Sequence, residues 1–324
     1  MTKVFMTGGA GFIGAQVARE LLQEKDEVVL HDAFVNFIDP FESNYELLLK
    51  LRLKDIKDKA KVVRGDIRHK GRFLRLLQEF EPEIVVHLAA LPIATASNTY
   101  SEDAFGINLY GTVNVLESIR QVKSVKRFVY SSSSMTYGNF QYSPANENHP
   151  MNPVDVYGGT KLAGEILTKA YGKKFNIEYT IIRPSAVYGP TDANKRVSQI
   201  FVENALMGKT LKLEGGGQSR LDFSYIEDVA HGFVLAMKSE KAANEIFNIT
   251  RGEGRSLKEF VEILQTLIPN VKTEIVPADK TRAERGALDI SKARKLLGYE
   301  PKYSLEEGLK LYVDFVKKSG ILKK

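Results

Sequence analysis

The chain contains no cysteine, which excludes disulfide cross-links and thiolate chemistry. It has no run of 18 apolar residues and so no segment long enough to span a bilayer as a helix. The formal charge is +6, but the lysines and arginines are dispersed, without any block of five or six. No nucleic-acid-binding signature accompanies that charge, so nucleic acid is not an expected partner. The five histidines, His31, His69, His87, His149 and His231, lack metal-ligand spacing, and no metal is expected. Residues 3–6 read as a buried strand that a cleaved signal peptide would remove, so a cytoplasmic protein is expected. Lys317, Lys318, Lys323 and Lys324 read as a solvated tail.

What is present is a large apolar fraction, 43% of 324 residues, enough for two domains or one large α/β unit with an appendage. Short apolar runs occur at Val4–Met6, Val28–Leu30, Val62–Val63, Ile84–Leu88, Phe128–Tyr130 and Tyr179–Ile182. Helical patterns fall between them, as in Ala15–Leu22 and Phe73–Phe80. This alternation predicts an α/β fold: a doubly wound parallel sheet, covered on both faces, with right-handed crossovers. Residues 34–58 form an insertion with a helix expected from Tyr45 to about Lys59. Beyond Pro184 the alternation fades; Val197–Met207 and Leu257–Leu267 read as helices and Gly215–Gly217 as a turn. The expected division is a Rossmann domain over 1–183 and, over 184–324, mainly a smaller substrate-binding domain, with some later segments returning to the sheet.

The run Thr7-Gly8-Gly9-Ala10-Gly11-Phe12-Ile13-Gly14 follows the first strand and opens the first helix. That context turns a weak glycine pattern into a dinucleotide fingerprint. Gly8, Gly11 and Gly14 let the backbone approach a pyrophosphate, and the helix N-terminus favours the anion. Asp32 ends the second strand, 18 residues past Gly14, where it can accept hydrogen bonds from ribose hydroxyls. It would repel a 2′-phosphate, and no Lys or Arg lies between Asp32 and Lys50, so NAD is expected rather than NADP. Asp66 ends the third strand and can accept from the adenine amino group. Leu88, Ala89 and Ala90 end the fourth strand with little bulk, which admits a ribose.

Tyr157 and Lys161 stand four residues apart, on one face of a helix. A phenol of ordinary pKa ~10 is a poor base at neutral pH. A neighbouring ammonium, together with a positive nicotinamide ring, is expected to favour the phenolate. A hydroxyl from the turn Ser131–Ser134 can hold the substrate oxygen. The set is suited to moving a hydride and a proton together.

With these motifs, the chain resembles the extended short-chain dehydrogenase/reductase family, and within it the nucleotide-sugar epimerase and dehydratase branch. The likeness runs over nearly the whole length. It rests on Thr7–Gly14, Gly65-Asp66, His87–Ala90, Asn108–Val115, Ser131–Gly138, Tyr157–Lys161, Arg183–Pro190, Asp222–Asp228, Asp289–Ala293 and Leu297–Pro301. The resemblance implies Tyr157 as base, Lys161 as its partner and Ser133 as the hydroxyl. It implies cofactor contacts that include Phe12, Ile13, Ile67, Asn108, Ser131 and Pro184. It also implies a homodimer packed through two helices per subunit, roughly 105–120 and 157–172.

Departures from the family pattern narrow the reaction. Ser134-Met135 stands where 4,6-dehydratases carry Asp-Glu, and Met135 cannot protonate a leaving hydroxyl. Uronate decarboxylases carry a Glu at that place too. The expected function is therefore NAD-dependent epimerisation of a nucleotide-diphosphate sugar, at C4, on a UDP-hexose or UDP-hexuronic acid. The alternatives are a net reductase or dehydrogenase on the same scaffold, and a non-catalytic NAD-sensing module. Ala186 replaces the Asn with which galactose-type relatives contact the diphosphate, with Ser185 beside it as a candidate. Arg196, Arg220, Arg282 and Arg285 are the candidate anion ligands.

Overall fold

Side-chain alternation along the first strand sets the layers. In β1 (Lys3–Thr7), Val4 and Met6 join one buried apolar cluster and Phe5 joins the other, all fully buried. A strand apolar on both sides belongs inside a sheet that is covered twice. β1 pairs in parallel with β2 (Glu27–Asp32) and β4 (Ile84–His87). The ladder continues to β3 (Lys61–Arg64) on one side, and to β5 (Arg127–Ser131), β6 (Glu178–Arg183) and β9 (Glu245–Asn248) on the other. The computed structural model describes residues 1–36, 44–279 and 281–322. Among them the central sheet has seven strands in the order β3-β2-β1-β4-β5-β6-β9. The order reverses beside β1, which opens a crevice at the carboxyl ends of the strands.

All six strands expected from the apolar runs are in this sheet, and the chain returns to it at β9. Helix α1 (Phe12–Gln23) and α9 (Ile226–Lys238) bury Val17, Leu21, Phe233 and Met237 in the cluster on one face. On the opposite face α3 (Lys70–Phe80), α6 (Gly111–Ile119) and α7 (Val156–Phe175) pack on a cluster that holds Phe73, Leu77, Val115 and Phe128. Between them in sequence come α2 (Tyr45–Leu53), α4 (Ala94–Thr99) and α5 (Ser101–Ala104). The helix expected to reach Lys59 ends at Leu53. There Ile56 turns into the core, and Asp55 is held by Arg19 of α1 at 2.6 Å, so the chain breaks into turns. The part of that insertion at 37–43, and Lys323 and Lys324 of the expected tail, lie outside the described residues.

The C-terminal half adds two small sheets. β7 (Leu211–Glu214) pairs in parallel with β11 (Thr273–Val276), and β8 (Arg220–Asp222) antiparallel with β10 (Gly254–Ser256). Its helices are α8 (Val197–Leu206), α10 (Leu257–Leu267), α11 (Ser291–Leu297) and α12 (Leu305–Ser319). Capping boxes Ser256/Glu259 and Ser304/Glu307 start α10 and α12 by satisfying otherwise orphaned N–H groups. Phe260, Leu264, Leu309 and Val316 belong to the same buried cluster as Val4 and Met6.

Asp222, fully buried at the end of β8, is the polar hub of this half. It accepts from the Thr250 hydroxyl (3.0 Å) and from the backbone N–H groups of Arg251 (3.1 Å), Gly252 (3.1 Å) and Leu288 (3.0 Å). Asp222→Ala leaves these donors unpaired in the core and is expected to cost about 3 kcal/mol or more, measured as a lowered urea midpoint.

Two strand histidines couple the fold to pH. His31 packs against Phe5 and Phe73, and burial lowers its pKa to about 4. His87 sits between the hydroxyls of Thr7 (2.6 Å) and Thr112 (3.0 Å), and burial, with Lys161 adding to it, lowers its pKa to about 3. The unfolded chain protonates both near 6.5, so it binds more protons below that pH. Their contribution is full above pH 6.5 and is lost as pH falls toward about 4 for His31 and about 3 for His87. Urea midpoints are therefore expected to drop between pH 7.5 and 5, and less steeply in His31→Phe.

Candidate active site

A cleft of about 1680 Å³ lies at the carboxyl ends of the strands. Small-ligand pockets usually span ~300–1,000 Å³, so this one has room for two ligands side by side. Its walls bring together the carboxyl ends of β2 and β5, the segments that follow β1, β3, β4 and β6, and residues of the C-terminal half.

The β1–α1 turn forms one end. Gly8 has φ 67° and donates to the His31 carbonyl at 2.8 Å. A Cβ on Gly8 would meet the Ala89 nitrogen at 2.6 Å, and one on Gly14 would strike the Gly8 carbonyl. The turn thus fits only without side chains. Helix α1 begins at Gly11 with no side-chain cap, which leaves its first N–H groups for an anion. Phe12 and Ile13 line the same wall. Asp32 accepts from the backbone N–H of Ala10 (3.0 Å) and Phe34 (2.8 Å); burial pushes its pKa up, and these two bonds oppose the rise. Asp66 and Ile67 follow β3, and Leu88, Ala89 and Ala90 follow β4, all on the cleft. Asp66 is paired with Arg68 at 2.7 Å; burial would raise its pKa, but the pair holds it below the usual range. These features fit a dinucleotide with a free 2′-hydroxyl.

Sequence reasoning missed Arg52. From the end of α2 this buried guanidinium reaches the cleft beside Asp32, and it donates to the carbonyls of Ala10 (2.9 Å) and Thr191 (2.6 Å). No sequence signal announces it, because the insertion must fold back before the residue meets the turn. Both of its terminal nitrogens are committed, while its buried Nε has no partner, so it ties two cleft walls together.

Asn108 is buried off the cleft. Its Oδ1 accepts from Leu91 N–H (2.7 Å), and its Nδ2 donates to Thr160 (3.1 Å), which fixes the segment after β4 onto α7. Ser185 is likewise buried and away from the cleft wall, whereas Pro184 and Ala186 on either side line it.

The other end of the cleft holds Ser131, Ser133, Tyr157 and Lys161. The serine turn leaves β5, and α7 starts where Asp155 accepts from Gly158 N–H at 2.7 Å. Lys161 Nζ donates to the Ser131 carbonyl at 2.8 Å and lies 5.9 Å from the centre of the Tyr157 ring. Burial lowers the Lys161 pKa to about 7, against the opposing charge of Glu165. The expectation that Lys161 depresses the phenol is not met by the protein alone. Burial raises the Tyr157 pKa, and the groups that oppose it are Arg196 and the Ser133 hydroxyl. Lys161 is itself buried and directed at the Ser131 carbonyl, and desolvation is the largest influence on the phenol.

The four arginines also reach this cleft. Arg196 is 3.5 Å from Asp192, Arg220 3.3 Å from Glu259, and Arg282 3.1 Å from Glu214. Arg285 differs: its Nε is buried without a partner, and burial lowers its pKa to about 10 despite Asp155. An unpaired buried donor on a cleft wall favours an anionic ligand.

Residues 4–250 match the model of the NAD dependent epimerase/dehydratase family. The chain is 33% identical to a putative UDP-glucose 4-epimerase of Methanocaldococcus jannaschii, over 98% of this chain and 99% of that one. It is 31% identical to a UDP-glucuronate 4-epimerase of Thermodesulfobacterium geofontis, over 97% and 96% of the two chains. Among solved structures it is similar to UDP-glucuronic acid 4-epimerase from Bacillus cereus in complex with UDP-glucuronic acid and NAD, with a TM-score of 0.89, 29% identity and coverage of 98% and 99%. The chain belongs to the NAD dependent epimerase/dehydratase family.

Proposed function

We propose that this protein is an NAD-dependent epimerase that inverts C4 of a UDP-hexose or UDP-hexuronic acid through a transient 4-keto sugar. The observation that carries the reading is the convergence of Ser133, Tyr157 and Lys161 on the cleft that the glycine turn opens. NAD bound there would supply the acceptor and donor of the C4 hydride and a positive ring beside the phenol. Gly8, Gly11 and Gly14 would hold its pyrophosphate, and Asp32 a ribose. Tyr157 Oη takes the proton of the C4 hydroxyl and returns it after the keto-sugar has turned over. Ser133 holds the C4 oxygen, and Lys161 anchors the serine turn while adding positive charge near the phenol. Met135 presents an apolar side chain to the cleft, so no acid stands by to expel a hydroxyl.

Arg196, Arg220, Arg282 and Arg285 are the ligands for the diphosphate, with Arg285 the leading one because its Nε lacks a partner. In this reading, residues 1–183 carry the cofactor and residues from 184 onward mainly the substrate. The absence of cysteine accords with a cytoplasmic enzyme. A homodimer through the helices around 105–120 and 157–172 accounts for the exposure of Phe105 (43%), Tyr110 (65%) and Ile166 (58%) on those segments.

Tyr157→Phe is expected to lower turnover at least ~10²-fold, the usual weight of a positioned acid–base group, while NAD remains bound. Product formation by the unaltered enzyme is expected with nearly flat absorbance at the wavelength of NADH; a stoichiometric change would instead identify a net dehydrogenase. Ile166→Glu is expected to convert the dimer to monomer in light scattering, and an unaltered mass would remove these helices from the interface.

A further inference from the structure

Behind the serine turn lies a buried charge pair that the proposed chemistry does not use. Arg183 of β6 and Glu165 of α7 meet at 2.6 Å and 2.8 Å, and both side chains are 0% exposed. The Ser132 hydroxyl donates to Glu165 at 2.5 Å. Arg183 continues to the Tyr137 hydroxyl (2.9 Å) and the Glu147 carbonyl (3.1 Å), and Tyr137 donates to Asn248 of β9 at 2.8 Å. Burying two charges costs several kcal/mol per ion, and an apolar pair of equal volume is often as stable. Stability alone therefore does not explain the arrangement.

Position does. Tyr157, Lys161 and Glu165 recur every four residues along α7 and share one stripe of the helix. Lys161 grips the serine turn at the Ser131 carbonyl, and Glu165, one helical turn on, grips the next residue by its hydroxyl. Backbone bonds from Ser132 to Ile182 (2.7 Å) and from Ser134 to Pro184 (3.0 Å) seat the same turn on β6. Ser133, the hydroxyl at the reacting carbon, lies between these fixed points. We propose that Glu165, acting through Ser132 and oriented by Arg183, is a positioning residue that sets Ser133 and Lys161 at their working distance from Tyr157. This rests on the epimerase reading given above. Glu165 also places a negative charge one turn from Lys161 and so favours its ammonium. The other groups facing Lys161 are His87 of β4, Tyr130 of β5 and Tyr157. Those facing Glu165 are Arg183, Tyr130 and Tyr137.

The test measures kcat, KM, bound NAD and melting temperature on the full chain. Ser132→Ala cuts the link to the turn and leaves the ion pair; it is expected to lower kcat about tenfold with KM and bound NAD within about twofold. Glu165→Gln is expected to lower kcat about a hundredfold and to move the alkaline limb of the kcat profile to lower pH, since Lys161 loses its supporting charge. If Glu165→Gln does not fold, the double variant Glu165→Met/Arg183→Met, free of charge and similar in volume, is expected to melt near the parent temperature without regaining kcat. A Ser132→Ala enzyme within about twofold of the parent kcat, or a double variant with parental kcat, would overturn the proposal. Those results require an active parent enzyme. An inactive parent, or turnover retained in Tyr157→Phe, would instead strike the epimerase reading itself.

Discussion

The ammonium of Lys161 on the carbonyl of Ser131 is the contact on which the site depends. It joins the helix that carries Tyr157 to the strand end that carries Ser133, at a distance of 2.8 Å. It does so out of water, where a charge is costly unless it is hydrogen-bonded. That cost lowers the pKa of Lys161 to about 7, and the same burial raises that of Tyr157. Both groups are thus moved by the same desolvation, the lysine down and the phenol up.

The parallel sheet makes this arrangement possible. Seven strands running one way put all of their carboxyl ends on one edge, and the reversal of order beside β1 separates the helices there. Into that opening come the glycine turn after β1, Asp32 at the end of β2, the small residues after β4 and the serine turn after β5. The C-terminal half closes the far side with its arginines, and Arg52 ties the 191 loop to the glycine turn. The two halves share one buried apolar cluster, so packing contributes to setting the cleft.

Much of this was legible in the chain, because the signals were local. The strands announced themselves as apolar runs with turn residues after them, and the six so read are in the sheet. The glycine turn was legible because only glycine fits where Ala89 and the turn's own carbonyl approach so closely. Local reading was less successful where a distant contact intervenes. The helix from Tyr45 stops at Leu53 because Arg19 and the core capture the next residues. Asn108 and Ser185 have the polar character of ligands, yet they lie off the cleft wall, Asn108 tied instead to Leu91 and Thr160.

The sequence by itself determined the family, the order of strands and helices, and the residue types available for hydride and proton transfer. These depend on spacing within a few turns of chain, which no later event can alter. Tertiary structure alone decided which cations stand near Tyr157, that burial raises its pKa, and that Glu165, Arg183 and Ser132 meet beneath the serine turn. The reason is that desolvation and charge pairing depend on what surrounds a group in space. Those neighbours come from strands and helices far apart in the chain.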